Sequence, residues 1–455
     1  MGRSWLRAAS LVAVGVLSLW ACDARALPAF ARKYETSCQT CHVVYPKLTP
    51  FGEAFRRNGY RFPGVDADVT KQPAIPMGQE AAQKTFPKTS WPDWIMNSVP
   101  LAVGFNGSAT THPTDSSAAR ADNGTGLALQ DLVEEGHLWA GGSFTEHTTF
   151  FAELTVSPDG AEVERATVLF NDLFFRDHAL DLWVGREFAT LTSFGPHSTY
   201  LGDTLIAPLN VAGLFGATTD TWNVVDAMNS VQLAGTLFGR LDYGLGLSAG
   251  VHGDVRPAED WFAHLGYKLG GMRLDGEGGG IENPLRPWEE SAVALDVWVY
   301  HSGSTFNNAG GDLQYDSALA YGAQVRAQWR SLELDYGVYQ ESHTHAMADG
   351  TGATALAQYG ELSYVVFPWL VPAIRFEYSG LNGGGLTPND WRLIPGVAAA
   401  VFPNLKLVLR AQFELALGTA PGAGWGPAGG FAAPGSDTTV LGELENITLG
   451  MAYAF

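Results

Sequence analysis

The sequence predicts an all-β fold, a transmembrane antiparallel β-barrel of about 16 strands preceded by a small α-helical N-terminal segment. Charged residues make up only 16% of the 455-residue chain, while 54 glycines and 12% aromatics leave the mean hydropathy at zero, a mixture unlike the charge-rich surface of a soluble globule. From about Val99 onward no stretch reaches the roughly 18 apolar residues that a helical span requires. What recurs instead is alternation with period two, the signature of strands with one apolar and one polar face.

The alternation is clearest from Leu319 to Val338. Leu319, Tyr321, Ala323, Val325, Ala327 and Trp329 share one parity, with Gly322, Gln324, Arg326, Gln328 and Arg330 on the other. Across a tight Arg330-Ser331 connection, Leu332, Leu334, Tyr336 and Val338 alternate with Glu333, Asp335 and Gly337, so the two runs form a hairpin. Leu405 to Leu415 repeats the pattern against Lys406, Arg410, Gln412 and Glu414. One face is suited to lipid, and the other carries both signs of charge, as a wet lumen does. Further hairpins are expected at 150–168, with turn chemistry at Pro158-Asp159-Gly160, and at 231–251. Phe367-Pro368 and Phe402-Pro403 are expected as short turns, and 301–311 and 418–436 as longer extracellular loops.

At the C-terminus Ile447, Leu449, Met451, Tyr453 and Phe455 fall on one parity and the last residue is aromatic. Gly450-x-x-Tyr453-x-Phe455 is similar to the terminal pattern of bacterial outer-membrane proteins, whose last strand must close against the first and leave no edge. A soluble β-sandwich, the other all-β choice, has no need of apolar positions facing outward around the whole sheet. Dividing roughly 355 residues by the 20 to 24 that a strand and its connection need gives about 16 strands, with 14 or 18 tolerable.

The N-terminus divides differently. Arg3 and Arg7 precede an apolar run from Ala8 to Ala21, and Ala24 and Ala26 form an A-x-A site, so residues 1–26 are expected to be a secretory signal. A lipoprotein cut before Cys22 is the weaker alternative because bulky Trp20 stands beside it. Cleavage after Ala26 leaves a mature charge of about −22, starting from −20 for the whole chain. Such a balance excludes nucleic acid as a partner and favours cations. It also leaves Cys38 and Cys41 as the mature chain's cysteines.

Two cysteines at this spacing fit a strained disulfide or half a zinc site. His42, directly after Cys41, completes C-x-x-C-H, the pattern to which a c-type haem is attached: the thiols form thioethers to the two vinyl groups, and the histidine coordinates the iron from the proximal side. The expected cofactor is one covalently bound haem c. Thr49-Pro50 is expected to open a short helix and Asn58-Gly59 to end it, with Phe51 and Phe55 on one face, joined by Tyr60 and Phe62 to shield a haem edge or simply to pack a core. Met77, in the turn Pro76-Met77-Gly78, is the candidate distal iron ligand. Met96, a histidine or an empty position stays open. The haem segment is taken as 27–95 and the barrel as 96–455. His343, His345 and Asp349 form a weaker candidate metal group in an expected loop, where such residues are usually solvated.

Taken together, Ala29-Phe30-Ala31-Arg32, Cys38-x-x-Cys41-His42, Pro46, Phe51-Gly52, Phe55 and Gly59-Tyr60 ahead of a barrel resemble the fused monohaem cytochrome-porins, which include bacterial outer-membrane iron oxidases. The specific match covers residues 29–60. The resemblance implies an outer-membrane protein whose haem segment, at the periplasmic side or inside the barrel, takes electrons from extracellular Fe(II) and passes them to a periplasmic c-type cytochrome or similar carrier. What it implies for Cys38, Cys41 and His42 is haem binding and electron transfer; for the chain's activity, an Fe(II) oxidase is one reading. A second reading is a porin-type channel plugged or redox-gated by the haem segment. A haem peroxidase would need distal acid-base residues, and nothing in the segment points to them.

Overall fold

A computed structural model of the chain describes residues 29–62 apart from 35, the pairs 75–76 and 94–95, and the barrel from 101 to 454. Outside the description lie residues 1–28, 63–74, 77–93, 96–100, 113–125, 129–131, 174–178, 190–198, 203–226, 250–259, 277–285, 308–312, 347–349, 384–388 and 418–443, with the single positions 35, 146, 159, 403 and 455. Met77, Met96, Asp349, the signal segment and the expected loop at 418–436 are among these.

Three helices come first: α1 (Ala29–Lys33), α2 (Cys38–Cys41) and α3 (Pro50–Arg57). Strands β1 (Ile75–Pro76) and β2 (Trp94–Ile95) pair with each other. The barrel is formed by β3 (Leu101–His112), β5 (Glu135–Thr145), β6 (Thr148–Ser157), β7 (Gly160–Phe170), β8 (Asp181–Phe188), β9 (Ala227–Leu237), β10 (Leu241–Ser248) and β11 (Asp260–Gly270). It continues through β12 (Glu290–Asn307), β13 (Leu313–Arg330), β14 (Leu332–His343), β15 (Ala353–Tyr364), β16 (Leu370–Gly383), β17 (Asn389–Phe402), β18 (Leu405–Leu417) and β19 (Leu444–Ala454). These sixteen strands pair antiparallel in chain order, and β4 (Gly126–Ala128) is a stub beside the outer end of β3. The expected closure is made by β19 on β3, with Leu449 opposite Ala109 and Tyr453 opposite Phe105, so no strand edge is left open.

The sidedness of the wall is that of a membrane barrel. Trp329 and Leu269 are each 66% exposed on the outside, with Leu247, Leu265, Val293, Leu295, Leu334 and Leu449. Their neighbours of opposite parity, Gln324, Asp335, Glu361, Arg375 and Glu377, are buried inside. An apolar exterior around a polar interior inverts the soluble pattern and makes lipid the surrounding solvent. No described helix is long and apolar enough to cross a membrane.

The connections divide between two rims. Ser331, 238–240, 365–369 and 403–404 are short and lie at the rim where β19 ends, whereas 113–134, 189–226 and 418–443 join strand ends at the other. The three longest connections thus share one rim, which marks it as the exterior and the opposite one as the periplasmic side. Phe238 and Gly239, at φ 55° and 66°, make the tight β9–β10 turn. One expectation is corrected. Residues 301–311 were expected as a loop, but β12 runs to Asn307 and pairs through to Leu313 of β13. Backbone pairing extends the ribbon past the residues whose alternation is legible in the sequence.

Candidate functional site

A single helical turn such as α2 cannot hold itself in water and needs its neighbours. Ser37 caps it by accepting from the Gln39 amide at 3.2 Å, and the His42 amide donates to the Cys38 carbonyl at 2.9 Å. Helix α3 supplies the rest. Thr49 is its N-cap, accepting from the Gly52 amide at 3.1 Å, and its own backbone amide donates to the Cys41 carbonyl at 2.9 Å while its hydroxyl donates to the Thr40 carbonyl at 2.8 Å. Gly52 is required by this contact: a Cβ there would stand 2.1 Å from the Cys41 carbonyl oxygen. The expected stop is present, with Asn58 as C-cap and Gly59 at φ 65°.

Cys38, Cys41 and His42 are thereby carried on one turn. The His42 Nδ1 lies 3.0 Å from the Pro46 carbonyl; donating there, the ring keeps its Nε2 lone pair for a ligand. Burial lowers the His42 imidazole to about 4, against the backbone hydrogen bonds that raise it, so the ring is neutral. Burial pushes the Cys41 thiol up to about 12 and raises Cys38 as well, and both are free thiols. Among the described residues the three do not converge with a further histidine, cysteine or carboxylate as a zinc site would require.

The segment sits inside the barrel, across the lumen near the periplasmic rim. Lys47 pairs with Glu333 of β14 at 2.5 Å, Arg61 with Asp172 at 2.8 Å, Arg57 with Asp242 of β10, and Glu53 with Arg326 of β13. The Asn58 side-chain Nδ2 donates to the Asp275 carbonyl, and Lys33 donates to Ser143 of β5. Phe55 and Tyr60, with Tyr34, form an apolar cluster with Leu169 and Trp183 of the wall, against which Phe30, Phe62 and Phe151 pack. Phe51 lies against Phe62 at 4.9 Å. The aromatic side expected of α3 is therefore in contact with the barrel. Partners on strands from opposite sides of the ring can be reached only by a body that spans it.

The lumen is also occupied from the other end. Residues 199–202, in the connection from β8 to β9, turn inward: the Tyr200 amide donates to Glu361 at 2.6 Å, and Arg375 donates to the Gly202 carbonyl at 2.7 Å. Tyr200 and Leu201 share an apolar cluster with Val43 and Val44 of the plug and with Ile394 and Ala398 of β17. Between α3 and strands β10 to β13 a cavity of about 30 Å³ remains, bordered by Glu53, Arg57, Lys268 and Arg326, enough for about two waters. Nothing in the sequence pattern singled out Tyr200 and Leu201.

Of the other candidates, Met77 and Met96 fall outside the described residues. His343 is at the end of β14, buried between Asp316 (2.6 Å from Nδ1) and Glu341 (3.0 Å from Nε2), which corrects its expected place in a solvated loop. His345 is exposed, and its amide donates to Asp316.

No family model and no curated protein matches the chain. Among solved structures it is similar to OmpF of Salmonella typhi in complex with daunomycin, at 13% identity and a TM-score of 0.50 over 78% of this chain and 97% of that one. It is likewise similar to an anion-selective porin from Comamonas acidovorans, at 12% identity and a TM-score of 0.50 over 78% and 98%. At these identities the likeness is one of fold. Fold and lipid-facing surface together define a porin-like outer-membrane β-barrel in contact with membrane lipid, here with an N-terminal plug in its lumen.

Proposed function

We propose that the plug carries one covalent haem c on Cys38 and Cys41, with His42 as proximal ligand, and that the protein transfers electrons across the outer membrane between an extracellular donor, Fe(II) being the candidate, and a periplasmic c-type cytochrome. The observation that carries this is the single turn holding C-x-x-C-H, with His42 Nδ1 on the Pro46 carbonyl. The donor set fits the group: two thiols three residues apart with a neutral imidazole directly after the second. A haem bound there supplies a one-electron centre. The chain's own part is to hold that turn rigid, to exclude water with Phe55, Tyr60 and Phe62, and to seat it where the wall insulates it from lipid.

The porin likeness favours a second reading, a channel that the plug closes. Under it the ion pairs of Lys47, Glu53, Arg57 and Arg61 with the wall are the latch.

The two readings part on one experiment. The purified protein in detergent is mixed rapidly with Fe(II), or with a reduced soluble c-type cytochrome, while visible absorption is followed, and its conductance is recorded in a planar bilayer. Reduction of a haem band without solute conductance supports the conduit. Solute-sized conductance that depends on redox state, with slow or no reduction by either partner, supports the channel.

A further inference from the structure

We infer that His137, Glu153 and Glu164 form a binding site for a divalent first-row metal ion on the lumen wall, next to the C-x-x-C-H turn. The three come from adjacent strands β5, β6 and β7, and one ligand atom from each lies within 4.8 Å of the other two. One imidazole nitrogen with two carboxylates is a donor set for Fe(II), Mn(II) or Zn(II).

The backbone is shaped to make it. Glu153 of β6 faces Arg165 of β7 and Leu154 faces Val163, so Glu164 is the extra residue of a β-bulge. Val163 is exposed to the outside and Arg165 is buried inside, so the two do not keep one alternation: counted back from Arg165, Glu164 would face lipid, and the bulge lets it face inward beside Arg165 instead. There the Thr155 hydroxyl donates to its carboxylate at 2.6 Å.

Orientation and charge agree with this arrangement. The His137 Nδ1 points at Glu153, 3.2 Å away, with the Thr155 hydroxyl at the same distance, while Nε2 faces Glu135 at 3.4 Å and the amide nitrogen Nδ2 of Asn106 at 3.0 Å. A carboxylate behind the far ring nitrogen is the usual support of a ligating histidine. Arg165 is committed to Glu187 through 2.7 and 3.1 Å contacts and reaches Glu153 only at 3.7 Å. Arg186 pairs with Glu162 and donates from Nε to the Glu164 backbone carbonyl at 3.2 Å. Glu135, Glu153, Glu164 and Glu187 thus outnumber the guanidinium groups of Arg165 and Arg186 beside them, an excess of negative charge in a half-buried place that a further cation relieves.

The site also touches the plug. The Trp139 ring stacks on His137 at 5.2 Å with 5° between planes; Tyr45 lies 6.5 Å from Trp139, and His42 lies 5.2 Å from Tyr45. A role for the bound ion in supplying electrons rests on the haem reading, whereas its binding does not.

The test is equilibrium dialysis of the full-length protein in detergent against Mn²⁺ after chelator treatment, with bound metal counted by electron paramagnetic resonance. Wild type, Cys38→Ser/Cys41→Ser, His137→Ala, Glu164→Gln and Glu135→Gln are compared, and heat-modifiable gel migration reports folding. The expected result is one ion per chain in wild type and in the cysteine variant. Glu135→Gln then binds about 10- to 100-fold more weakly, and His137→Ala and Glu164→Gln more weakly still. Equal affinity in wild type and in folded Glu164→Gln or His137→Ala, or no binding in wild type, overturns the site. Retention of binding in the cysteine variant separates this outcome from any failure of the haem reading.

Discussion

The Tyr60 hydroxyl of the plug accepts a 2.5 Å hydrogen bond from Nη2 of Arg165 in β7, and its ring stacks on Phe151 of β6 at 4.8 Å. One side chain thus joins the helical segment to the wall by both a charged hydrogen bond and an apolar face. Tyr60→Phe keeps the stack and leaves an Arg165 N–H without its acceptor. It is expected to loosen docking by about 1–3 kcal/mol, read as faster proteolysis of the plug in intact vesicles with the barrel unchanged.

The Glu53 carboxyl carries a pH dependence. Burial alone would raise it, but Arg326 and Arg57 beside it hold it well below its ordinary 4.5. A value depressed by docking contributes stability above the ordinary carboxylate range, and that stability is lost as pH falls below it. Bilayer conductance should therefore stay flat from pH 7 to pH 5 and rise at lower pH. Glu53→Gln, which leaves Arg326 without its partner, should show raised conductance already at pH 7, at a docking cost of about 3–5 kcal/mol.

Gly52→Ala tests the contact between α2 and α3. The new methyl meets the Cys41 carbonyl, so one helix must shift, at about 1–3 kcal/mol. Haem content per chain should fall severalfold in a host that matures c-type cytochromes, with barrel folding unaffected.

Leu295→Arg places a charge on the outer face of β12, where Leu295 is 51% exposed. In lipid vesicles this should cost about 2–4 kcal/mol in urea unfolding, falling toward zero for the same change near a rim. An equal cost at both depths would contradict the lipid-facing assignment.

Local rules made much of this legible. Thr49-Pro50 and Asn58-Gly59 bound α3 as their capping chemistry requires, and the parity of 319–338 and 405–415 assigns lipid and lumen faces. The final strand closes on the first through the apolar parity read at 447–453. The pairs that dock the plug were not legible, because its partners are single charges scattered along distant strands: Arg57 finds Asp242 and Lys47 finds Glu333. Nor was the inward turn of Tyr200 and Leu201, which has no periodic signal. Glu164 was hidden by a bulge, since a one-residue slip in pairing exchanges the faces that alternation predicts.

The central claim is that the turn at Cys38–Cys41 holds a covalent haem inside a closed barrel. It is tested most directly by mass spectrometry of the chain made with c-type maturation and purified from outer membranes, after acid-acetone extraction of free haem. The account predicts one haem per chain, retained on the peptide that contains Cys38, Cys41 and His42. A folded barrel that carries no haem, with both thiols open to alkylation after unfolding while a control cytochrome matures in the same cells, would contradict it.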